Sequence, residues 1–199
     1  KSFLLFFFLC GFLLCRFWGL FFLALQFTTS LSSECVCTTV PCPVEGNNTL
    51  IMGNGNANIE YVYAIHNNHE VVISASGTIS PGSLDHGTET TSCTQKYSRM
   101  LEDDGNQNCD AGHILANRLG GYGNTPINIF PQNASSNRGP YAQFEGNIYD
   151  CMKTGASIGY LSWVFYYESV DHTQPYSVLY NANFEGGTCK SLRSQFENS

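Results

Sequence analysis

Four short runs decide how this chain is read: Asp110-Ala111-Gly112-His113, Asn128-Ile129-Phe130-Pro131-Gln132, Asn137-Arg138-Gly139 and, eight residues past Asn137, Glu145. The last two lie on a helix expected over 137–152. Tyr141, Phe144, Ile148, Cys151 and Met152 recur there at helical spacing, Pro140 is tolerated only in a first turn, and Gly155 ends the run. Asn137, Tyr141, Phe144 and Ile148 are spaced i, i+4, i+7, i+11, so Asn137 heads an otherwise apolar stripe turned toward the protein body. A polar group so placed has a hydrogen-bond partner or a ligand. The plainer reading, a helix-start residue, is equally open for Asn. His113 can take a proton from water near neutral pH, although a lone His is more often structural. The amide oxygen of Asn137 suits a hard cation such as Mg²⁺, leaving most coordination sites to waters and phosphate oxygens.

Around this stretch the chain reads as α+β. Residues 59–66 and 70–76 are rich in β-branched and aromatic residues and flank Asn67-Asn68-His69, a hairpin signal. Residues 160–168 and 176–184 read as two more antiparallel strands. Residues 34–58 are rich in Cys, Pro, Gly and Asn and read as a stapled extension, and 82–95 read as loop. The Tyr and Trp side chains of 160–167 are expected in the sheet core rather than as a stacking platform for bases.

Asp-x-Gly-His, Asn-x-x-Pro-Gln, Asn and then Glu in this order resemble the DNA/RNA non-specific endonucleases of the His-Me finger (ββα-metal) class. Gly-His-Ile-Leu-Ala, Leu-Gly-Gly, Asn-Ile-Phe-Pro-Gln-Asn and Asn-Arg-Gly are similar to the branch that includes secreted bacterial toxin nucleases. The hairpin from Tyr61-Val62-Tyr63 to Glu70-Val71-Val72 looks like that branch's opening strands. The resemblance covers about residues 59–185, and its tight motifs lie within 110–145. It implies an antiparallel sheet with a ββα-metal core and long loops. It implies His113 as general base, Asn137 as direct ligand of one divalent ion (Mg²⁺, or Mn²⁺ or another divalent cation), and Gln132 and Glu145 as groups that orient metal-bound waters or the helix. Asp110 would sit beside the base; otherwise it is a turn residue. Gln132, Arg138 and Arg118 are the expected substrate contacts, Arg138 being equally readable as a solvated helix-start charge. The implied reaction is hydrolysis of DNA and RNA phosphodiesters to 5′-phosphates, with charge on the leaving 3′ oxygen stabilised by the metal. Where many relatives carry Arg between Asp and Gly, this chain has Ala111. Arg99, Arg118 and Arg138 are the candidates to replace it.

Composition bounds the partners. The chain has 199 residues, 43% hydrophobic and 13% charged, with a net charge of −7. That excludes a disordered chain and a basic arm wrapped on nucleic acid. Residues 1–33, with Lys1, Arg16 and two apolar runs before Thr28-Thr29-Ser30, are expected to be a secretory leader, with the mature chain starting near Glu34. A signal anchor is the alternative, opposed by the central Arg16. The first residue is Lys, not Met, so it is not expected to be the biological start. Cleavage would remove Lys1 and Arg16 from the 9 basic residues, leaving 7 against 16 acidic, a charge of −9. Five of those seven, Lys96, Arg99, Arg118, Arg138 and Lys153, cluster around the motifs. Binding of nucleic acid is therefore expected to be local, loose and salt-sensitive. No membrane partner is expected after cleavage.

Of 9 cysteines, seven follow the leader, as suits three disulfides and one extra thiol in a secreted domain. Cys93 with Cys109 and Cys151 with Cys189 are the expected pairs. Cys35, Cys37 and Cys42 read as disulfide partners, since no second zinc-ligand pair is near. The run from Asp104 to Asp110 imitates a Ca²⁺ loop but has Cys109 where the turn needs Gly and Leu115 where Glu belongs. Sequons occur at Asn47 and Asn133, the latter expected to be unglycosylated because a glycan would crowd the site. The remaining histidines and Ser157 and Ser162 lack ligand or nucleophile context. The rival to an enzyme is a non-catalytic extracellular binding module on the same scaffold.

Overall fold

The computed structural model describes residues 43–101 and 109–199. Contacts divide the chain into Lys1–Glu34 and Cys35–Ser199, and everything described below belongs to the second unit. The expected leader, Cys35, Cys37, Cys42 and most of the Ca²⁺-loop look-alike lie outside the described residues.

A six-stranded antiparallel sheet is ordered β1-β2-β3-β6-β7-β8: β1 Gly46–Met52, β2 Ala57–His66, β3 His69–Ile79, β6 Ile158–Tyr166, β7 Ser177–Glu185 and β8 Leu192–Glu197. The expected hairpin is present. Asn67 and Asn68 both take positive φ (45° and 62°), a two-residue turn whose twist matches the strands it joins. The strands at 160–168 and 176–184 are β6 and β7, paired antiparallel.

Three elements depart from expectation. Within the extension, Gly46–Met52 is an edge strand, its Leu50 and Met52 turned into the core. Within and beyond the expected loop lies helix α1, Ser92–Met100, closed by reciprocal hydrogen bonds between Thr91 and Thr94. Its sequence is too polar to show a stripe. β8 was also missed, being an edge strand that buries chiefly Phe196.

A second, two-stranded sheet pairs β4 Cys109–His113 with β5 Ile129–Asn133. Then come a turn at Ala134–Ser136, a π-helical segment Asn137–Tyr141 and helix α2, Ala142–Thr154. This is the ββα unit. The helical run begins before the expected Asn137, because Asn133 Oδ1 accepts the Ser135 and Ser136 backbone N–H groups. Pro140 therefore sits inside it, where it has no N–H to donate. The chain accommodates it by widening to a π turn and breaking at Gly139 (φ −120°, ψ −110°).

α2 buries Phe144, Ile148 and Met152 against the large sheet, with Tyr141 just before it. Tyr180 stacks with Trp163 (4.6 Å), Phe144 (4.8 Å) and Tyr141 (5.6 Å). Trp163 is fully buried and belongs to the core as expected, whereas Tyr160 on the same strand is exposed and Tyr166 and Tyr167 are half-buried. Phe130 of β5 meets Phe165 of β6 at 5.1 Å, which fixes the small sheet on the large one. The Cys151–Cys189 disulfide forms as expected and ties α2 to the segment before β8. The other pairing does not form: Cys93 is disulfide-bonded, but Cys109 keeps a thiol, whose Sγ accepts a hydrogen bond from Gln174. α1 and β4 do pack together, Ser98 Oγ donating to the Asp110 carbonyl, but that adjacency does not pair Cys93 with Cys109. No helix among the described residues is long and apolar enough to cross a membrane.

Candidate active site

β4 ends at His113 and the π segment begins at Asn137, and the two meet at a cavity of about 360 Å³ lined also by Glu89, Asn117, Arg118 and Glu145. A second cavity of about 350 Å³ shares Glu89, His113 and Asn137 and adds Asp110, Ala111, Gln95 and Arg99.

His113 Nε2 lies 3.0 Å from the Thr88 carbonyl oxygen. A carbonyl only accepts, so Nε2 carries the proton and Nδ1 keeps its lone pair in the neutral ring. The carbonyl is itself held, accepting the Gly123 N–H at 3.0 Å, while Gly123 N–H also meets Thr88 Oγ1 at 2.9 Å. Gly123 is required to be bare: a Cβ there would stand 2.5 Å from His113 Nε2 and 2.6 Å from backbone atoms of Glu89 and Thr90. Burial pushes the His113 pKa below its ordinary value, against the opposing effects of the Thr88 hydrogen bond and the Glu89 charge. The ring is therefore neutral at pH 7.

Asp110 works on Asn137. Asn137 Nδ2 donates to Asp110 Oδ2 at 2.9 Å, which leaves Asn137 Oδ1 as the end of the amide available to a cation. Arg138 grips the same carboxylate through Nε (2.9 Å) and Nη2 (2.6 Å). Partial burial raises the Asp110 pKa, but the hydrogen bonds from Arg138 and Asn137 and the Arg138 charge outweigh it and hold the carboxyl below its usual range. Arg138 is committed to this pair and lines neither cavity.

Glu145 faces the first cavity with its Oε1 buried and without a hydrogen-bond partner. Burial raises its pKa to about 8, opposed by the Arg118 charge. An unpartnered buried carboxylate oxygen beside an oriented amide oxygen is a fit for a hydrated divalent cation, whose waters would satisfy it. No group of three His, Cys, Asp or Glu able to hold a metal occurs among the described residues, so Asn137 and Glu145 would leave most coordination to water. Arg118 lines the same cavity, its guanidinium 5.1 Å from the centre of the Tyr149 ring.

The structure thus brings together His113, Asn137, Glu145 and Arg118, with Asp110 and Asn137 joined beside the second cavity. It does not bring Gln132. That side chain is 1% exposed, lies against Gly112, where a Cβ would come 2.1 Å from Oε1, and reaches neither cavity. Asn128, from the same motif, is a structural hub. It accepts from Tyr61 Oη and the Leu115 N–H at 2.8 Å and donates to the Leu115 and Tyr122 carbonyls. Sequence reasoning missed Thr88, Glu89 and Gly123, which approach His113 only through tertiary contacts.

A family model described as DNA/RNA non-specific endonuclease matches residues 54–181. The chain is 36% identical over 121 residues to a "Probable deoxyribonuclease RhsA" of Dickeya dadantii (strain 3937); the match covers 61% of this chain but only 8% of that protein. Its fold is similar to NucA from Streptococcus agalactiae with no metal bound (TM-score 0.50, 15% identity, covering 82% of this chain and 85% of that one). It is also similar to EndoG in a complex with EndoGI (TM-score 0.51, 11% identity, covering 85% and 82%). With a matching family model over more than half its length, the chain belongs to the DNA/RNA non-specific endonuclease family.

Proposed function

We propose that this chain is a secreted, divalent-cation-dependent endonuclease that hydrolyses phosphodiester bonds of DNA and RNA with little sequence preference, leaving 5′-phosphates. The observation that carries the reading is His113: its Nε2 is occupied by the Thr88 carbonyl, so its free Nδ1 is the base of a cavity that also holds Asn137, Glu145 and Arg118.

His113 Nδ1 takes the proton of the attacking water. The imidazolium so formed faces Glu89, whose charge favours it. Asn137 Oδ1 and Glu145 would hold a Mg²⁺ or Mn²⁺ ion with its waters. When bound, the ion supplies positive charge beside the oxygen that leaves. Asp110 positions Asn137, and Arg118 offers fixed positive charge to the phosphate within the same cavity. Groups of this kind meet the backbone rather than base edges, which favours cutting without sequence reading. The apolar leader at 1–33 and the disulfide Cys151–Cys189 support secretion. The name of the RhsA relative supports DNA as one substrate.

The test is incubation of plasmid DNA and a structured RNA with the full chain, with Mg²⁺ or with EDTA, beside His113→Ala. Cutting that needs the cation and vanishes in the variant is the expected result. A well-folded protein that cuts neither substrate across several divalent ions would overturn the reading and leave a non-catalytic binding module.

A further inference from the structure

The proposed reaction uses the cavity that holds Glu145 and Arg118. The second cavity shares His113 and Asn137 with it, is nearly as large, and adds Gln95 and Arg99, to which the proposed chemical step gives no role. Its volume suits a nucleotide-sized group. Gln95 and Arg99 enter its wall from α1, four residues apart and hence on one helix face. Both are exposed, and Arg99 takes part in no ion pair among the described residues. Arg138, by contrast, is spent on Asp110. Ala111 adds only a methyl group to the wall. α1 is fixed relative to the base, because Thr94 Oγ1 donates to the carbonyl of Gly123, the residue that backs His113. Glu89 lines both cavities, so a phosphate backbone crossing His113 meets one carboxylate between two arginines, Arg118 on one side and Arg99 on the other.

We propose that the second cavity is a subsite for a phosphate neighbouring the scissile one, with Arg99 as its cationic anchor and Gln95 as a polar contact. The inference rests on the nuclease reading and deepens it. The preferred substrate is a strand with consecutive phosphates, not an isolated phosphodiester. Arg99 is then a positioning residue that raises affinity for strands without touching the reacting atoms.

Two measurements test it in the full chain. In the His113→Ala background, binding of a labelled 12-nucleotide single strand is titrated across salt concentrations, with and without Arg99→Ala. In the chain with His113 intact, cleavage of the same oligonucleotide is compared with hydrolysis of a p-nitrophenyl ester of thymidine 5′-monophosphate, which has a single phosphodiester. Arg99→Ala is expected to weaken strand binding about 10-fold and to shrink the slope of log K against log salt by about 0.7, the value for one phosphate contact on a single strand. The kcat/KM on the oligonucleotide should fall through KM, with the small ester unaffected. Arg99→Lys should restore most of the loss. Lys190→Ala, removing a charge outside both cavities, should leave the slope unchanged. An unaltered slope in Arg99→Ala, or an equal loss on both substrates, overturns the subsite while leaving the nuclease reading intact. If the oligonucleotide is neither bound nor cut, both fall.

Discussion

Asn137 donates its amide N–H to Asp110 Oδ2 at 2.9 Å, so the carboxylate at one end of β4 decides which face of the Asn137 amide looks into the site. Asp110→Ala removes that constraint without touching the base. Catalytic efficiency should fall about 10–100-fold, as when partners of metal ligands are removed, with a weaker apparent affinity for Mg²⁺. Arg138→Ala, which leaves Asp110 and Asn137 joined, should cost less. Steady-state kinetics over a Mg²⁺ titration separate the two.

In its proposed role as general base, His113 works only when neutral. Since burial lowers its pKa, kcat/KM should rise with pH along a limb centred below the ordinary histidine value of about 6.5, and stay level through pH 7–8. A limb centred above that value would contradict the assignment. His113→Ala should lose about 10²–10⁴-fold in kcat.

Gly123→Ala would push a methyl group into His113 Nε2 and into the Glu89–Thr90 backbone. The ring must turn away from the Thr88 carbonyl, and a displacement of this order costs about 10²-fold in rate. Circular dichroism of the variant should still be native. Unchanged activity would mean that the hydrogen bond to Thr88 does not position the base.

Glu145 has a folded pKa of about 8 against an ordinary 4.5. Its carboxyl holds its proton more tightly in the folded protein, so its contribution to stability is full below pH 4.5 and is lost as pH rises through about 8. In metal-free protein, Glu145→Gln should therefore raise Tm relative to the parent at pH 9 and much less at pH 5, while activity falls. Equal Tm differences at the two pH values would show that the carboxyl is solvated.

The disulfide Cys151–Cys189 closes a segment with a sequence separation of 38. Replacing both cysteines by alanine should lower unfolding free energy by about 3–4 kcal/mol in urea titrations. Neither cysteine lines the cavities, so kcat should change little.

Local chemistry made part of this legible in advance. Asn67-Asn68 announces its turn because Asn tolerates positive φ, and Tyr141, Phe144, Ile148 and Met152 announce a buried helix face by spacing alone. α1 was illegible because a short polar helix, capped by Thr91 and Thr94 and anchored through Thr94 on Gly123, Tyr97 on Glu70 and Ser98 on Asp110, has no periodic apolar signal. Gln132 misled for the opposite reason. A polar side chain in a motif says nothing about which face of its strand is buried, and here that face packs on Gly112.

The sequence by itself determined the residue types of the site and their order: an imidazole at His113, an amide at Asn137, a carboxyl at Glu145, and a hairpin and helix to carry neighbours. These follow from side-chain chemistry and from contacts a few residues apart. Only the tertiary structure decided the tautomer of His113, the orientation of Asn137, the commitment of Arg138 to Asp110 and the placing of Arg99 and Arg118 in separate cavities. Each depends on partners from 20 or more residues away, such as Thr88 for His113 and Asp110 for Asn137, whose distances are set by how β4, α1 and α2 pack and by no local rule.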